Sequence, residues 1–402
     1  MNIIPIARPL FGPEELEAVQ RPLRAGWVIQ GPEVAAFEAE AARAFGAPYA
    51  CAVASGTAAL HLALRALGVG EGDEVLTVSH SFIATANAVR YVGATPVFVD
   101  ILPRTYNMDT TALPDALSPR TKAVLCVHQL GMPCDLGAVL AFARAHGLPV
   151  IEDAACAIGS EVRLSQSFEP IGAPHGDIAC FSFHPRKVLT TGDGGLLTTK
   201  RADLDAMFRR WRSHSMAAPT AARHGSAQVG VESFEDLGFN YRMTDLQAAV
   251  GRVQLGRLPD IVTARRRWAA RYDERLADLS VVTPLEPAYA RSNWQSYCVR
   301  LPAGVSQQGV MQEMLDLGVS TRRGVTCTHR QPAYAKEPWR CARGPGACGC
   351  SPRTCAALRE SERAEDEGLM LPLYPQMTEE EHDRVVDALT QALRAHTPTS
   401  AP

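Results

Sequence analysis

Between residues 50 and 200, short apolar runs of strand length alternate with stretches whose apolar residues recur at helical spacing. The runs 49–53, 74–78, 96–100, 122–128, 149–152 and 177–183 read as strands. Between them, 58–67, 83–91 and 136–146 read as helices; in the first, Leu60, Leu62, Leu64 and Leu67 are the apolar positions. That alternation predicts an α/β unit, a mostly parallel central sheet flanked by helices. A further strand is expected at 194–199, then a helix at 202–214 with an Arg-rich outer face and a polar surface loop near 217–231. The segment 244–258 is a strong helix, with Thr244 placed to cap it and Leu246, Ala249, Val250, Val253 and Leu255 as its apolar positions.

The character then changes. A long Arg-rich helix at 262–279, a strand around 296–301, a Gly/Cys/Pro-rich segment at 337–355 and a C-terminal helix at 378–395 that opens Thr-Glu-Glu-Glu predict a smaller α+β domain. The expected boundary lies near 255–265. This gives a large domain at 12–258 and a small one at 259–402, with residues 1–11 packing near the latter. No internal repeat is visible.

Composition narrows the function. The 402 residues carry 40 basic and 43 acidic side chains, net −3, so no basic excess exists to neutralise a nucleic-acid backbone. The N-terminus lacks the basic start and apolar run of a signal peptide, and no window reaches the ~18 apolar residues of a membrane helix. The expectation is a cytoplasmic protein without a membrane or nucleic-acid partner. Eleven cysteines, an odd number, argue against a disulfide framework. Four crowd together as Cys341-x6-Cys348-x-Cys350-x4-Cys355. Four thiolates can close a zinc site, but the paired spacing usual for zinc is absent, so the segment reads as an irregular loop of thiols and no metal is expected.

Three segments carry chemistry. In Ser182-Phe-His-Pro-Arg-Lys187-Val-Leu-Thr-Thr-Gly-Asp-Gly-Gly195, a strand ends in a polar turn holding one lysine. A partly desolvated lysine has a neutral amine able to attack an aldehyde; the alternative is a surface lysine. In Ile151-Glu-Asp153-Ala-Ala-Cys156, Asp153 falls at the C-terminal end of a strand, where open α/β sheets hold ligands. Read alone, it is a helix-capping residue. Ala54-Ser55-Gly56-Thr57-Ala58 is a strand–turn–helix junction whose free N–H groups suit a phosphate.

Together, in this order and spacing, the three resemble the DegT/StrS-type family of pyridoxal-phosphate (PLP)-dependent sugar aminotransferases, of PLP fold type I. The resemblance continues through Ser81-Phe82-Ile-Ala-Thr-Ala-Asn87, Gly93-Ala-Thr-Pro-Val-Phe-Val-Asp100, Gly238-Phe-Asn240-Tyr-Arg242-Met-Thr-Asp245 and Leu371-Pro-Leu-Tyr-Pro375. It implies that Lys187 anchors PLP and shuttles the proton, and that Asp153 partners the pyridine nitrogen. Phe82 would stack on the ring, while Gly56, Thr57, Ala58 and Ser182 would hold the phosphate. Asn240 would reach the phosphate of a neighbouring subunit, implying a homodimer with shared sites. Arg242 would anchor the carboxylate of an amino donor. Cys156 stands where the family often has Gln or His, near the cofactor's phenolic oxygen, and reads as a packed residue. Asp193 stands where Glu is commoner.

For the acceptor, the resemblance points to 320–334, with Arg322, Arg323 and His329; His184 in the lysine turn is a further candidate, and Arg212 and His214 are ambiguous. The expected reaction converts a keto-sugar, nucleotide-linked, to an amino sugar with glutamate or glutamine as donor. The alternatives are a keto-cyclitol acceptor in aminoglycoside-type biosynthesis, a PLP-dependent dehydratase, which Lys187 argues against, and a non-catalytic regulator.

Overall fold

A computed structural model describes residues 3–216, 233–343, 350–351 and 353–396. Its centre is an eight-stranded sheet of β1 (Tyr49–Val53), β2 (Glu74–Val78), β3 (Thr95–Val99), β4 (Thr121–Val127), β5 (Val150–Asp153), β8 (Ile178–Ser182), β9 (Gly195–Thr199) and β13 (Arg340–Cys341). The spatial order is β1-β9-β8-β5-β4-β2-β3-β13. β9 runs antiparallel to both its neighbours, and the other pairs are parallel.

Successive residues of each strand enter opposite cores, as the two-residue period of a strand requires. Val75 packs with Leu60, Leu62 and Val89 on one face, and Leu76 with Phe37, Val97 and Leu255 on the other. Burial on both faces is why these strands read as unbroken apolar runs. The helices Gly56–Ala66, Ala84–Tyr91 and Ala202–Trp211 contribute to the first core, and Pro32–Phe45, Leu136–Ala145 and part of Asp245–Arg275 to the second.

Two small antiparallel sheets lie beside the eight-stranded one among the described residues. One joins β6 (Glu161–Val162), β7 (Glu169–Pro170) and β10 (Ala290–Arg291); the other joins β11 (Tyr297–Arg300), β12 (Arg322–Arg323) and β14 (Gly368–Leu371). A separate apolar cluster binds the latter sheet to the helices Gln307–Asp316 and Glu379–His396 through Tyr297, Met314, Leu369 and Leu389. The N-terminal segment joins that cluster: Ile4 is buried in it, and its backbone brackets Gly318 and Ser320 with hydrogen bonds of 2.9 Å.

One expectation is corrected. The helices read at 244–258 and 262–279 form a single helix, Asp245–Arg275, that passes through Pro259 without a break. An interior proline removes one backbone donor and crowds the carbonyl one turn earlier, at about 3 kcal/mol, and the flanking Leu258, Ile261 and Val262 are all buried, so packing on both sides holds the helix continuous. The anticipated boundary at 258/259 therefore falls inside a helix. Thr244 caps it with Gln247 in a reciprocal capping box, as the sequence indicated. The C-terminal helix opens likewise: the Glu381 N–H donates to Thr378 Oγ1 at 3.1 Å and the Thr378 N–H to Glu381 Oε2 at 3.0 Å. The surface loop expected at 217–231 and Cys348 lie outside the described residues.

Candidate active site

The carboxyl ends of the parallel strands open on a cavity of about 380 Å³, within the range of small-molecule sites. The chain reverses its order of addition to the sheet at β2, which has β3 on one side and β4 on the other. Ligands in open α/β sheets bind at such a switch point.

Asp153 ends β5 and is 5% exposed. Its carboxylate accepts from Thr85 Oγ1 at 2.8 Å and from the Ala155 N–H at 3.2 Å. Thr85 is itself 2.7 Å from Ser81 Oγ. Because the Thr85 proton goes to Asp153, Ser81 donates to Thr85, and a relay of two hydroxyls backs the carboxylate. Burial raises the Asp153 pKa, while Thr85, the Ala155 N–H and the charge of Lys187 oppose the rise.

Lys187 sits in the turn after β8, its N–H bonded to the His184 carbonyl at 2.8 Å. The turn is tied back on itself by Thr190 Oγ1, which donates to the Phe183 carbonyl at 2.9 Å. The Lys187 Nζ reaches Cys156 Sγ at 3.0 Å, so Cys156 faces the lysine and lines the cavity rather than being packed away. His184 and Arg186 lie on the same wall, and burial, then the Arg186 charge, lower the His184 pKa.

On the opposite side, Ser55 caps the helix Gly56–Ala66 by accepting from the Ala58 N–H at 3.1 Å. A Cβ on Gly56 would stand 2.7 Å from Ser182 Cβ and 3.3 Å from the Phe181 carbonyl, so only glycine lets the helix start lie against β8. Thr57 and Ser182 line the cavity beside it. The Phe82 ring, 67% exposed, stands on the cavity wall.

These groups fit PLP. A buried carboxylate, an amine, an open aromatic ring and a helix N-terminus border one cavity, which are the requirements of its pyridine nitrogen, aldehyde, ring and phosphate.

Of the other expected residues, Arg322 and Arg323 meet this cavity, and Ala58, Asn240, Arg242, His329 and Arg212 do not. The Ala58 N–H is committed to Ser55, leaving other donors for an anion. Asn240 is exposed and outside this chain's cavity. Arg242 also lies outside it; its backbone bridges Val53, and its buried Nη1 has no hydrogen-bond partner among the described residues. His329 does not meet the cavity. Its ring is 0% exposed, with Nδ1 2.7 Å from Ser79 Oγ and Nε2 3.1 Å from Glu362 Oε1. Arg323 does line it, alongside Arg322, while pairing with Glu365 at 3.3 Å. Arg212 is buried against Glu38 and the Ala52 carbonyl. The hydroxyls Ser81 and Thr85, with Gln129, Gln295 and the N-terminal Ile6 and Ala7, were not singled out by sequence yet border the cavity. Thr85 lies three residues after Phe82 within a motif already noted, which was its one available signal.

The model of the DegT/DnrJ/EryC1/StrS aminotransferase family matches residues 9–390. The chain belongs to this family. It is 38% identical over 395 residues to the GDP-perosamine synthase of Caulobacter vibrioides, covering 97% of this chain and 98% of that one. It is 37% identical over 399 residues to the spore coat polysaccharide biosynthesis protein SpsC of Bacillus subtilis, covering 98% of both. Among solved structures it is similar to the aminotransferase TlmJ from Streptoalloteichus hindustanus, with a TM-score of 0.85 and 34% identity over 98% of this chain and 99% of that one. The chain is thus a PLP-dependent aminotransferase of the DegT/DnrJ/EryC1/StrS family, with an α/β fold. Among the described residues no helix is long and apolar enough to cross a membrane.

Proposed function

We propose that this aminotransferase converts a keto-sugar, carried on a nucleotide, into an amino sugar, taking the amino group from glutamate or glutamine. The observation that carries the reading is one cavity bordered by both Lys187 and the buried, doubly hydrogen-bonded Asp153. The name of the Caulobacter relative supports the nucleotide-linked sugar. The exposed Arg322 and Arg323 at the cavity mouth have the fork geometry that suits a diphosphate.

PLP, when bound, supplies the electron sink for removing a proton from the donor's α-carbon. The protein's part is to hold and move protons. Asp153, kept ionised by Thr85 and the Ala155 N–H, provides the negative charge for a protonated pyridine nitrogen. Lys187 Nζ would anchor the cofactor and, as a free amine, would take up the proton of the donor carbon. Cys156, 3.0 Å away, keeps the amine over the cavity. Gly56, Thr57 and Ser182, which line the cavity, would hold the phosphate, and Phe82 would lie against the ring.

The same reading includes a homodimer. Asn240 is exposed and outside its own chain's cavity, and Leu237 and Phe234 nearby are exposed apolar residues, which suits a segment that completes a partner's site. It also includes a large domain at 12–258 and a small one at 259–402, supported by the separate apolar cluster around Tyr297 and Leu389. The seven scattered cysteines are all thiols, as a cytoplasmic setting keeps them.

The test is a screen of nucleotide-linked keto-sugars, free keto-sugars and keto-cyclitols with each donor, reading amine product by mass spectrometry. Turnover of a nucleotide-linked keto-sugar is the expected result. Turnover confined to keto-cyclitols would overturn the substrate reading while leaving the aminotransferase intact.

A further inference from the structure

The cysteine-rich segment is irregular in sequence, and both of its ends are held at the sheet. Arg340–Cys341 forms β13 and adds a parallel edge strand, with Cys341 opposite Phe98. Cys355 precedes the helix Arg359–Glu367, whose first N–H groups, of Glu360 and Ser361, donate to the Asp100 carboxylate just beyond β3 at 2.9 and 2.7 Å. The Cys355 N–H donates to Glu362 Oε1 at 2.6 Å. Both ends of the segment are therefore fixed to the same strand end.

That double attachment brings three sulfurs together. Cys341 Sγ lies 3.6 Å from Cys350 Sγ, and Cys350 Sγ lies 3.2 Å from Cys355 Sγ. All three sulfurs lie within 4.8 Å of one another, the single such group of possible metal ligands among the described residues. A disulfide would need roughly 2.05 Å. A tetrahedral zinc with Zn–S bonds of about 2.3 Å has sulfurs about 3.8 Å apart along each edge, close to the spacing seen. Cys341 and Cys355 are buried, 2% and 1% exposed, and Cys350 is exposed, so the triangle opens toward solvent on one side.

We propose that Cys341, Cys350 and Cys355 bind one structural zinc ion, which clamps the cysteine-rich segment to the β3 edge. The thiols lose their protons on binding, and the fourth vertex is filled by a further donor, water included. Borderline-soft zinc suits a thiolate set better than magnesium or calcium. The spacing rule that spoke against a metal assumes ligands from one short turn. Here a strand and a helix start supply two of them.

The site has a structural reach. Cys341 and Cys355 share an apolar cluster with Phe98, Tyr334 and Leu358, and Ile83 packs against it. Ile83 follows Phe82, so the clamp supports the backbone that presents the aromatic wall of the cavity.

The experiment is elemental analysis for zinc and iron on the full-length holoenzyme, purified without chelator or metal-affinity resin, beside Cys350→Ser. Cys350 is the exposed ligand, and its substitution spares the buried packing. The expected result is about one zinc per chain in the wild type and near none in C350S. The metal-stripped wild type should also take up Co²⁺ with the intense visible bands of a tetrahedral thiolate site, and C350S should not. Metal content is read whether or not the protein transaminates, so failure here is separable from failure of the catalytic reading. A wild type without zinc, equal zinc in C350S, iron with labile sulfide, or a mass two hydrogens light from a disulfide would each overturn the proposal.

Discussion

Thr85→Val tests how the buried carboxylate is kept ionised. Valine matches threonine in shape but cannot donate to Asp153, and it leaves Ser81 without its acceptor. Asp153 is almost fully buried, so its charge depends on three aids, namely Thr85 at 2.8 Å, the Ala155 N–H at 3.2 Å and the charge of Lys187. A hydrogen bond to a charged group contributes about 1.5–3 kcal/mol, which corresponds to roughly one to two pKa units. Burial already holds the Asp153 pKa up, and the substitution raises it further. The acid limb of the pH–rate profile should therefore move to higher pH by about one to two units. The assay is the loss of the cofactor's visible absorption on adding donor amino acid, followed by stopped flow across the acid and neutral range. Thr85→Ser keeps the hydroxyl and should restore the wild-type profile. Linkage supplies a second readout. A carboxyl whose folded pKa is raised costs stability that sets in as pH rises above the ordinary carboxylate value and is complete above the raised one, so T85V should be less stable than wild type at neutral pH, with the deficit shrinking as pH falls through its raised value. A folded T85V protein that binds PLP and shows an unmoved acid limb would refute the relay.

Other outcomes follow from individual contacts. Gly56→Ala places a Cβ 2.7 Å from Ser182 Cβ; overpacking of about 1–3 kcal/mol should weaken PLP binding by about fivefold or more, read by spectral titration. Glu74 bonds Ser118, Arg120 and Arg340, and although burial opposes ionisation, these partners hold its pKa down to about 2. Because that pKa is depressed, its stabilisation is complete above the ordinary carboxylate range and lost as pH falls toward 2. Glu74→Gln should therefore cost roughly 3 kcal/mol at neutral pH, a deficit that shrinks in acid in denaturant titrations. His329→Gln should lower Tm through its lost contacts with Ser79 and Glu362, yet leave KM for the acceptor at the wild-type value, since the ring does not meet the cavity.

Local chemistry explains which features were legible in the sequence. Strands buried on both faces announce themselves as apolar runs, and all those expected between residues 49 and 199 occur, shifted by a residue or so at their ends. Capping boxes at Thr244 and Thr378 are equally local. The helices Pro13–Ala25 and Pro32–Phe45 are not legible as apolar stripes, because the first buries Glu15, Ala18 and Pro22 while Leu16 and Leu23 face solvent, and the second buries Glu38 and Ala41 beside Val34, Phe37 and Phe45. β13 is two residues long and has no pattern of its own; it exists because β3 offers an edge. In the site, Lys187, Asp153 and Phe82 lie in motifs that place them beside one cavity. His329 shows the limit of that approach. A histidine near a basic turn looks the same in sequence whether it meets a ligand or is buried on a serine and a glutamate.

The most direct test of the central claim is to find where PLP attaches. The chain has only four lysines, Lys122, Lys187, Lys200 and Lys336. Borohydride reduction of the PLP-loaded enzyme, followed by peptide mass spectrometry, should place the pyridoxyl group on Lys187, and prior treatment with the donor amino acid should abolish the label. Labelling of another lysine, or of none in a protein that still turns over, would contradict the account.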